Sequence, residues 1–242
     1  MAVYIKEKFP LWARILRKTL RSFNFKFFLK TYLYIADSFY SAADHVVLSS
    51  GNNVHPKIDI IRYHEFFLKY IDKSTNVLDI GSHNGNIAFR ISKYCKTITG
   101  IEIDEKNFKE AITKNKTENV FFIHGDINNT KFSKKFDVCI MSNVLEHIEK
   151  RILLLKKLLK VTNCLLIRVP AIDRDWWPVY RKELGIEWRC DTTHFIEYTK
   201  EDFYSEFTKA GWSIEEYHVQ WGEIYAVCKP YIMLDKKIRL KN

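Results

Sequence analysis

Three acidic residues stand where short apolar runs give way to glycine or polar residues. Asp79 lies in Val77-Leu78-Asp79-Ile80-Gly81-Ser82-His83-Asn84-Gly85, Glu102 in Ile98-Thr99-Gly100-Ile101-Glu102-Ile103-Asp104, and Asp126 in Gly125-Asp126-Ile127. A fourth run, Val138 to Met141, ends in Ser142-Asn143. Carboxylates gathered in one crevice repel one another unless a cation or hydroxyl and amine donors lie among them. A ligand with an ammonium, a sugar diol and an aromatic amine would satisfy all three. Taken singly, Asp79 reads as a cap for a helix near Asn86, Glu102 as a solvated strand end and Asp126 as a turn former. Those plain readings do not account for three acids at three successive run ends.

Two histidines offer a different chemistry. His147 follows Glu146 just beyond the fourth run, and His194 ends Cys190-Asp191-Thr192-Thr193-His194. Imidazole titrates near neutrality, so either could take the proton of a hydroxyl or protonated amine; the competing reading makes His147 a structural partner of Glu146 or of a helix start. Between them, Asp173, Asp175, Trp176, Trp177, Tyr180, Arg181 and Trp188 crowd residues 171–189. Flat aromatic faces suit a sugar ring, a nucleobase or an aromatic acceptor, although the same residues would serve simple packing. The five cysteines are scattered, with no C-x-x-C and no Cys/His spacing typical of metal ligands, so neither a disulfide framework nor a metal site is expected. Cys139 and Cys164 sit in apolar runs, as small core residues in a reducing cytoplasm would.

The elements that must position these residues follow from periodicity. Apolar runs predict strands at Asn76–Ile80, Thr97–Ile103, Val120–His124, Val138–Met141 and Cys164–Val169, alternating with helices at Asn86–Tyr94, Glu105–Asn115 and Ile148–Lys160. A helix at Lys200–Ala210 precedes an antiparallel pair, Trp212–Gln220 and Glu223–Cys228. Strands buried on both faces between helices make an α/β, Rossmann-like, doubly wound and mostly parallel sheet. In such a sheet ligands bind beyond the carboxyl ends of the strands, where the acids stand. Upstream, helical spacing over Ile60–Ile71 follows the turn-rich Ser49–Asn53. Before that lies a basic amphipathic arm in which Trp12, Leu16, Leu20, Phe23 and Phe27 share one face. The 242 residues thus divide into an N-terminal helical cap, 1–55, and a main domain, 56–242, with a substrate lid at about 171–199. The arm is read as a cap on the main domain in preference to a membrane-surface element.

Together, residues 77–85, 98–104, 125–127 and Phe136–Ile148 resemble the class I S-adenosylmethionine-dependent methyltransferase family, in particular its small-molecule group. That cofactor carries the ammonium, diol and adenine amine the acids require. Its rival, a nicotinamide dinucleotide, would set its pyrophosphate against Asp79 and calls for a strict G-x-G-x-x-G that is absent. The resemblance implies a seven-stranded sheet with an antiparallel last strand. It also implies that Gly81, Ser82, His83 and Gly85 pass the methionine part, with Asp79 behind them. Glu102 would take the ribose hydroxyls with Ile103 beside it, Asp126 the adenine amine with Ile127 beside the ring, and Asn143 would line the methionine side. His83 stands at the middle glycine of the family's commonest loop, so its side chain is expected to face solvent, with contact to the methionine carboxylate as the alternative. A further likeness at His55-Pro56-Lys57 and Arg62-Tyr63-His64 points towards methyltransferases of surface-polysaccharide synthesis.

The expected function is therefore methylation of an oxygen on a small polar acceptor such as a saccharide or sugar phosphate. His147 or His194 would act as base, and Trp176, Trp177, Tyr180, Arg181 and Trp188 would hold the acceptor. The net charge of +10 keeps RNA or protein methylation open, and His83 keeps open a cofactor-binding module without catalysis. Methylation of base amines is disfavoured, because Ser142-Asn143-Val144-Leu145 stands where those enzymes carry an Asp/Asn/Ser-Pro-Pro-aromatic motif. The chain shows no secretory signal or run of about 18 apolar residues. A cytoplasmic protein is expected, with peripheral membrane contact through residues 1–40 the alternative role of the arm.

Overall fold

Seven strands form one sheet in the order β3-β2-β1-β4-β5-β7-β6. They are β1 Asn76–Ile80, β2 Thr97–Glu102, β3 Val120–His124, β4 Val138–Ser142, β5 Leu165–Pro170, β6 Trp212–Gln220 and β7 Glu223–Pro230. The structure, a computed structural model, describes Leu11, residues 25–49 and residues 56–231. β1 to β5 run parallel, whereas β7 is antiparallel to both β5 and β6. The turn between β6 and β7 is Trp221-Gly222, both in the left-handed region (φ 54° and 74°), which matches the twist of a tight hairpin.

Strand alternation sorts the core onto two faces. In β1, Leu78 and Ile80 point to a cluster containing Met141, Leu154, Phe203 and Trp212, whereas Val77 points to one containing Phe66, Phe67, Ile91 and Tyr225. Asp79 shares Val77's parity and so enters the second face, buried with it. Strand order reverses between β1 and β4, which are flanked by β2 and β5, and the carboxyl ends of these strands are where such a sheet places its ligand.

Helices depart from the predicted spans in two places. The helix expected over Ile60–Ile71 is two single turns, Lys57–Ile61 and His64–Leu68, because Arg62 adopts φ 51° and interrupts the ladder. The helix expected from Ile148 starts at Arg151, and His147 lies ahead of it in a separate 3-10 turn, Leu145–His147, so it does not begin that helix. Asn86–Ser92, Glu105–Lys114 and Lys200–Ala210 form as expected, the last two capped by Asp104 and Thr199. The lid contains a helix, Trp176–Glu183.

The chain divides into two units, Met1–Ile60 with Glu183–Ile186, and the remainder. In the first, Phe25–Ser49 is a helix that leaves Phe25, Phe27, Tyr34, Phe39 and Tyr40 exposed. Trp12, Leu16, Leu20 and Phe23 of the predicted arm, like His55, lie outside the described residues. No helix among the described residues is long and apolar enough to cross a membrane.

Candidate active site

Gly81 and Ser82 donate their backbone N–H groups to Ile101 O at 2.9 and 3.1 Å, which ties the loop after β1 to β2. Gly81 has φ 70°, and a Cβ there would lie 2.5 Å from Val144 Cγ2, so glycine alone lets the β1 and β4 loops meet. Gly85, with φ 82°, leads into the helix Asn86–Ser92. His83, at the middle glycine of the motif, also takes a left-handed conformation (φ 49°) and holds its side chain in solvent. The loop therefore keeps the path of a glycine loop at the cost of strain at one non-glycine residue.

The three acids have different surroundings. Asp79 is 1% exposed, and neither carboxylate oxygen has a hydrogen-bond partner. Burial, reinforced by the charge of Glu102, pushes its carboxyl up to about 8. Glu102 accepts from the backbone N–H groups of His83 (2.7 Å) and Asp104 (2.8 Å), which braces the loop. Asp126 accepts from Asn128 N and from the side-chain amides of Asn128 and Asn129, and so does form a turn. Both oxygens of Glu102 and Oδ2 of Asp126 retain a lone pair for a ligand hydroxyl or amine, whereas Asp126 Oδ1 already accepts twice. Beside Asp126 a slot of about 80 Å³ is lined by Gly81, Ile101, Ile103, Asp126, Ile127 and Val144, apolar walls with one carboxylate among them. Ser82 Oγ and Asn143 Oδ1 are likewise buried and unpartnered.

These orphaned groups fit the cofactor implied by the motifs. Asp79 would offer its buried carboxyl group to an ammonium, the slot an apolar berth to adenine, and the free lone pairs of Glu102 and Asp126 would be open to a diol and an amine. Asn143, itself at φ 53°, donates through Nδ2 to Glu223 Oε1 at 3.2 Å, and its backbone N–H donates to Arg168 O. Arg168 forms a buried pair with Glu223 and stacks 4.1 Å from the Tyr63 ring centroid. Neither Arg168 nor Glu223 was singled out from sequence; a charge within the apolar run Leu165–Pro170 was the available sign.

His147 and His194 come together, their ring centroids 4.6 Å apart at 75°. Phe195 N donates to Glu146 O at 2.8 Å, clamping the lid's end to the turn after β4. Glu146 is fully buried with both oxygens unpartnered, and burial pushes its carboxyl up to about 7. Burial, then the neighbouring His194, holds the His147 imidazole below its usual value. His147 also lines a larger cavity of about 570 Å³ with Ile103, Asp126, Ile148 and Phe195, three of which also line the smaller slot.

Of the predicted acceptor residues, Trp176 and Trp177 stack at 4.4 Å, and Tyr180 leans on both at 5.9 Å. Trp188 sits under the Lys182 ammonium instead, and its carbonyl accepts from Arg174. Arg181 is half-buried.

A family model for a methyltransferase domain matches residues 56–217. An rRNA adenine N-6-methyltransferase from Limosilactobacillus reuteri is 36% identical over 87 residues, 35% of each chain. An uncharacterized RNA methyltransferase of Mycoplasma mobile is 30% identical over 133 residues, 51% of this chain and 35% of that one. The chain therefore spans about a third of the curated relatives it matches. A TehB-like S-adenosylmethionine-dependent methyltransferase from Corynebacterium glutamicum shares the fold, with TM-score 0.55 and 15% identity over 81% of this chain and 98% of that one. With the sheet order, the loop after β1 and this match over most of its length, the chain belongs to the S-adenosylmethionine-dependent methyltransferase family, whose cofactor is S-adenosylmethionine.

Proposed function

We propose that this protein transfers the methyl group of S-adenosylmethionine to a hydroxyl oxygen of a small polar acceptor, a saccharide or sugar phosphate. The observation that carries this reading is the convergence of Glu146, His147 and His194 after β4, beside the cofactor crevice. A hydroxyl must lose its proton to become a good nucleophile, whereas a neutral amine need not, so a site rich in lone pairs there favours oxygen. S-adenosylmethionine supplies an electrophilic methyl on a sulfonium; the chain's task is to align and deprotonate the acceptor. The stacked Trp176, Trp177 and Tyr180 provide flat apolar faces of the kind that cover a sugar ring.

RNA is the second reading, favoured by the names of the two curated relatives and by the net charge of +10. Against an adenine amine as target stands Ser142-Asn143-Val144-Leu145 after β4, with no proline and no aromatic residue. The test is incorporation of radiolabelled methyl into oligosaccharides, nucleotide sugars and RNA offered in parallel. Label in the sugar fractions supports the proposal; label in RNA alone overturns it in favour of the second reading. In the same assay His194→Ala lowers turnover by at least about tenfold while affinity for S-adenosylhomocysteine stays within about twofold, because the cluster that His194 helps to build acts on the acceptor and not on the cofactor.

A further inference from the structure

The hydrogen bonds around the two histidines fix their tautomers. Thr193 Oγ1 donates its only proton to Asp191 Oδ1 at 2.7 Å, so at the 2.9 Å contact with His147 Nδ1 it accepts, and Nδ1 carries the proton. His194 Nδ1 lies 3.2 Å from Glu197 Oε1, a fully buried carboxylate that also accepts from Cys190 N and Arg174. A carboxylate accepts only, so His194 too is protonated on Nδ1. In each neutral ring the lone pair therefore sits on Nε2, the nitrogen left without a fixed partner. Glu146, with no partner for either oxygen, adds a carboxylate to the same place, and one ligand atom from each of Glu146, His147 and His194 falls within 4.8 Å of the others.

Two imidazoles and a fully buried, unpartnered carboxyl, each with a ligand atom within 4.8 Å of the others, gather donors that a single cation would satisfy at once. From this geometry we infer that Glu146, His147 and His194 form a binding site for one divalent first-row transition cation, a two-histidine, one-carboxylate set with coordination positions open. The Nδ1–H donation of each ring to an oxygen held by a further group is the arrangement that orients metal-ligating histidines. Reaching ligand distances of about 2.0–2.2 Å takes a contraction of roughly an ångström among side chains on the Leu145–His147 turn and the lid's end. The neighbouring trio Cys190, His194 and Glu197 is the weaker set, because Glu197 already accepts from three donors, whereas Glu146 accepts from none. The inference rests on the reading of this crevice as the acceptor site. There the cation takes the acceptor's hydroxyl oxygen in an open position and lowers its pKa, and the released proton passes to water in the adjoining cavity.

The test uses the full-length protein, stripped with a chelator and titrated with Zn²⁺, Mn²⁺ or Co²⁺ alone, by calorimetry and by the visible spectrum of Co²⁺. The expected result is one cation per chain with a nitrogen/oxygen Co²⁺ spectrum, and at least about tenfold weaker binding in Glu146→Gln and His194→Ala. Binding of S-adenosylhomocysteine to the stripped protein is measured alongside, so that loss of the cofactor reading is seen separately. Absence of cation binding in stripped protein that still binds S-adenosylhomocysteine overturns the inference. So does undiminished binding in folded variants, or a thiolate charge-transfer band that assigns the cation to Cys190. If the variants do not fold, protection of the histidines from diethyl pyrocarbonate by the cation decides: His147 and His194 protected supports the site, and both modified at the unliganded rate overturns it.

Discussion

Asp79 carries a carboxyl into the interior with nothing to bond it, and the consequences are measurable in both stability and binding. Its folded-state pKa of about 8 lies far above the ordinary aspartate value. Between those limits the folded apoprotein keeps a proton that the unfolded chain has released, so stability falls as pH rises through that window and levels off above about 8. Asp79→Asn removes the titration, and urea melts across pH 5–9 should show a flatter profile and a variant more stable by roughly 1–3 kcal/mol at the alkaline end. The same substitution should weaken S-adenosylhomocysteine binding by roughly 1–3 kcal/mol, since a charge-assisted bond to an ammonium is lost. Cofactor binding below pH 8 should also release a proton, seen as a calorimetric enthalpy that varies with the buffer. An enthalpy independent of buffer, with unchanged affinity in Asp79→Asn, would remove Asp79 from the site.

The loop Gly81–Gly85 shows how an element can keep a required path through residues of unequal cost. Gly81→Ala must pay for a left-handed alanine and drive its Cβ into Val144, so a destabilisation of about 2–4 kcal/mol is expected, with loss of cofactor binding. His83→Gly relieves a left-handed histidine but adds backbone entropy to the unfolded chain, so its melting should stay within about 1 kcal/mol of the parent. Loss of binding in His83→Gly would show instead that the imidazole itself contacts the ligand. Most of this architecture was legible in the sequence because buried parallel strands such as Val77–Ile80 and Val138–Met141 are apolar without interruption. The break at Arg62 was not, since a basic residue in a helical run carries no local sign that it will turn left-handed. Nor was the Glu146–His147–His194 cluster: its members come from two segments that the Phe195–Glu146 backbone bond and the Thr193–His147 contact bring together.

At the scale of the molecule, charge is unevenly distributed, and this bears on how polyanion binding should be interpreted. Residues 1–40 hold eight basic side chains against Glu7 and Asp37, so six of the ten net positive charges lie in a sixth of the chain. Association with RNA or with anionic lipid vesicles should therefore depend mainly on this segment and fall steeply with salt, whatever the acceptor is. The aromatic residues that helix Phe25–Ser49 leaves exposed would add apolar contact to the attraction. Deleting residues 1–40 should abolish most retention on immobilised RNA and on anionic vesicles at about 50 mM salt, while affinity for S-adenosylhomocysteine stays within about twofold. The cap reading of the arm requires the opposite, a truncated chain that loses solubility and cofactor affinity together. If RNA were the acceptor, methyl incorporation into it would follow the retention and disappear with the arm. If the acceptor is a saccharide, truncation removes RNA binding and leaves turnover on the sugar in place, which separates electrostatic adhesion from substrate recognition.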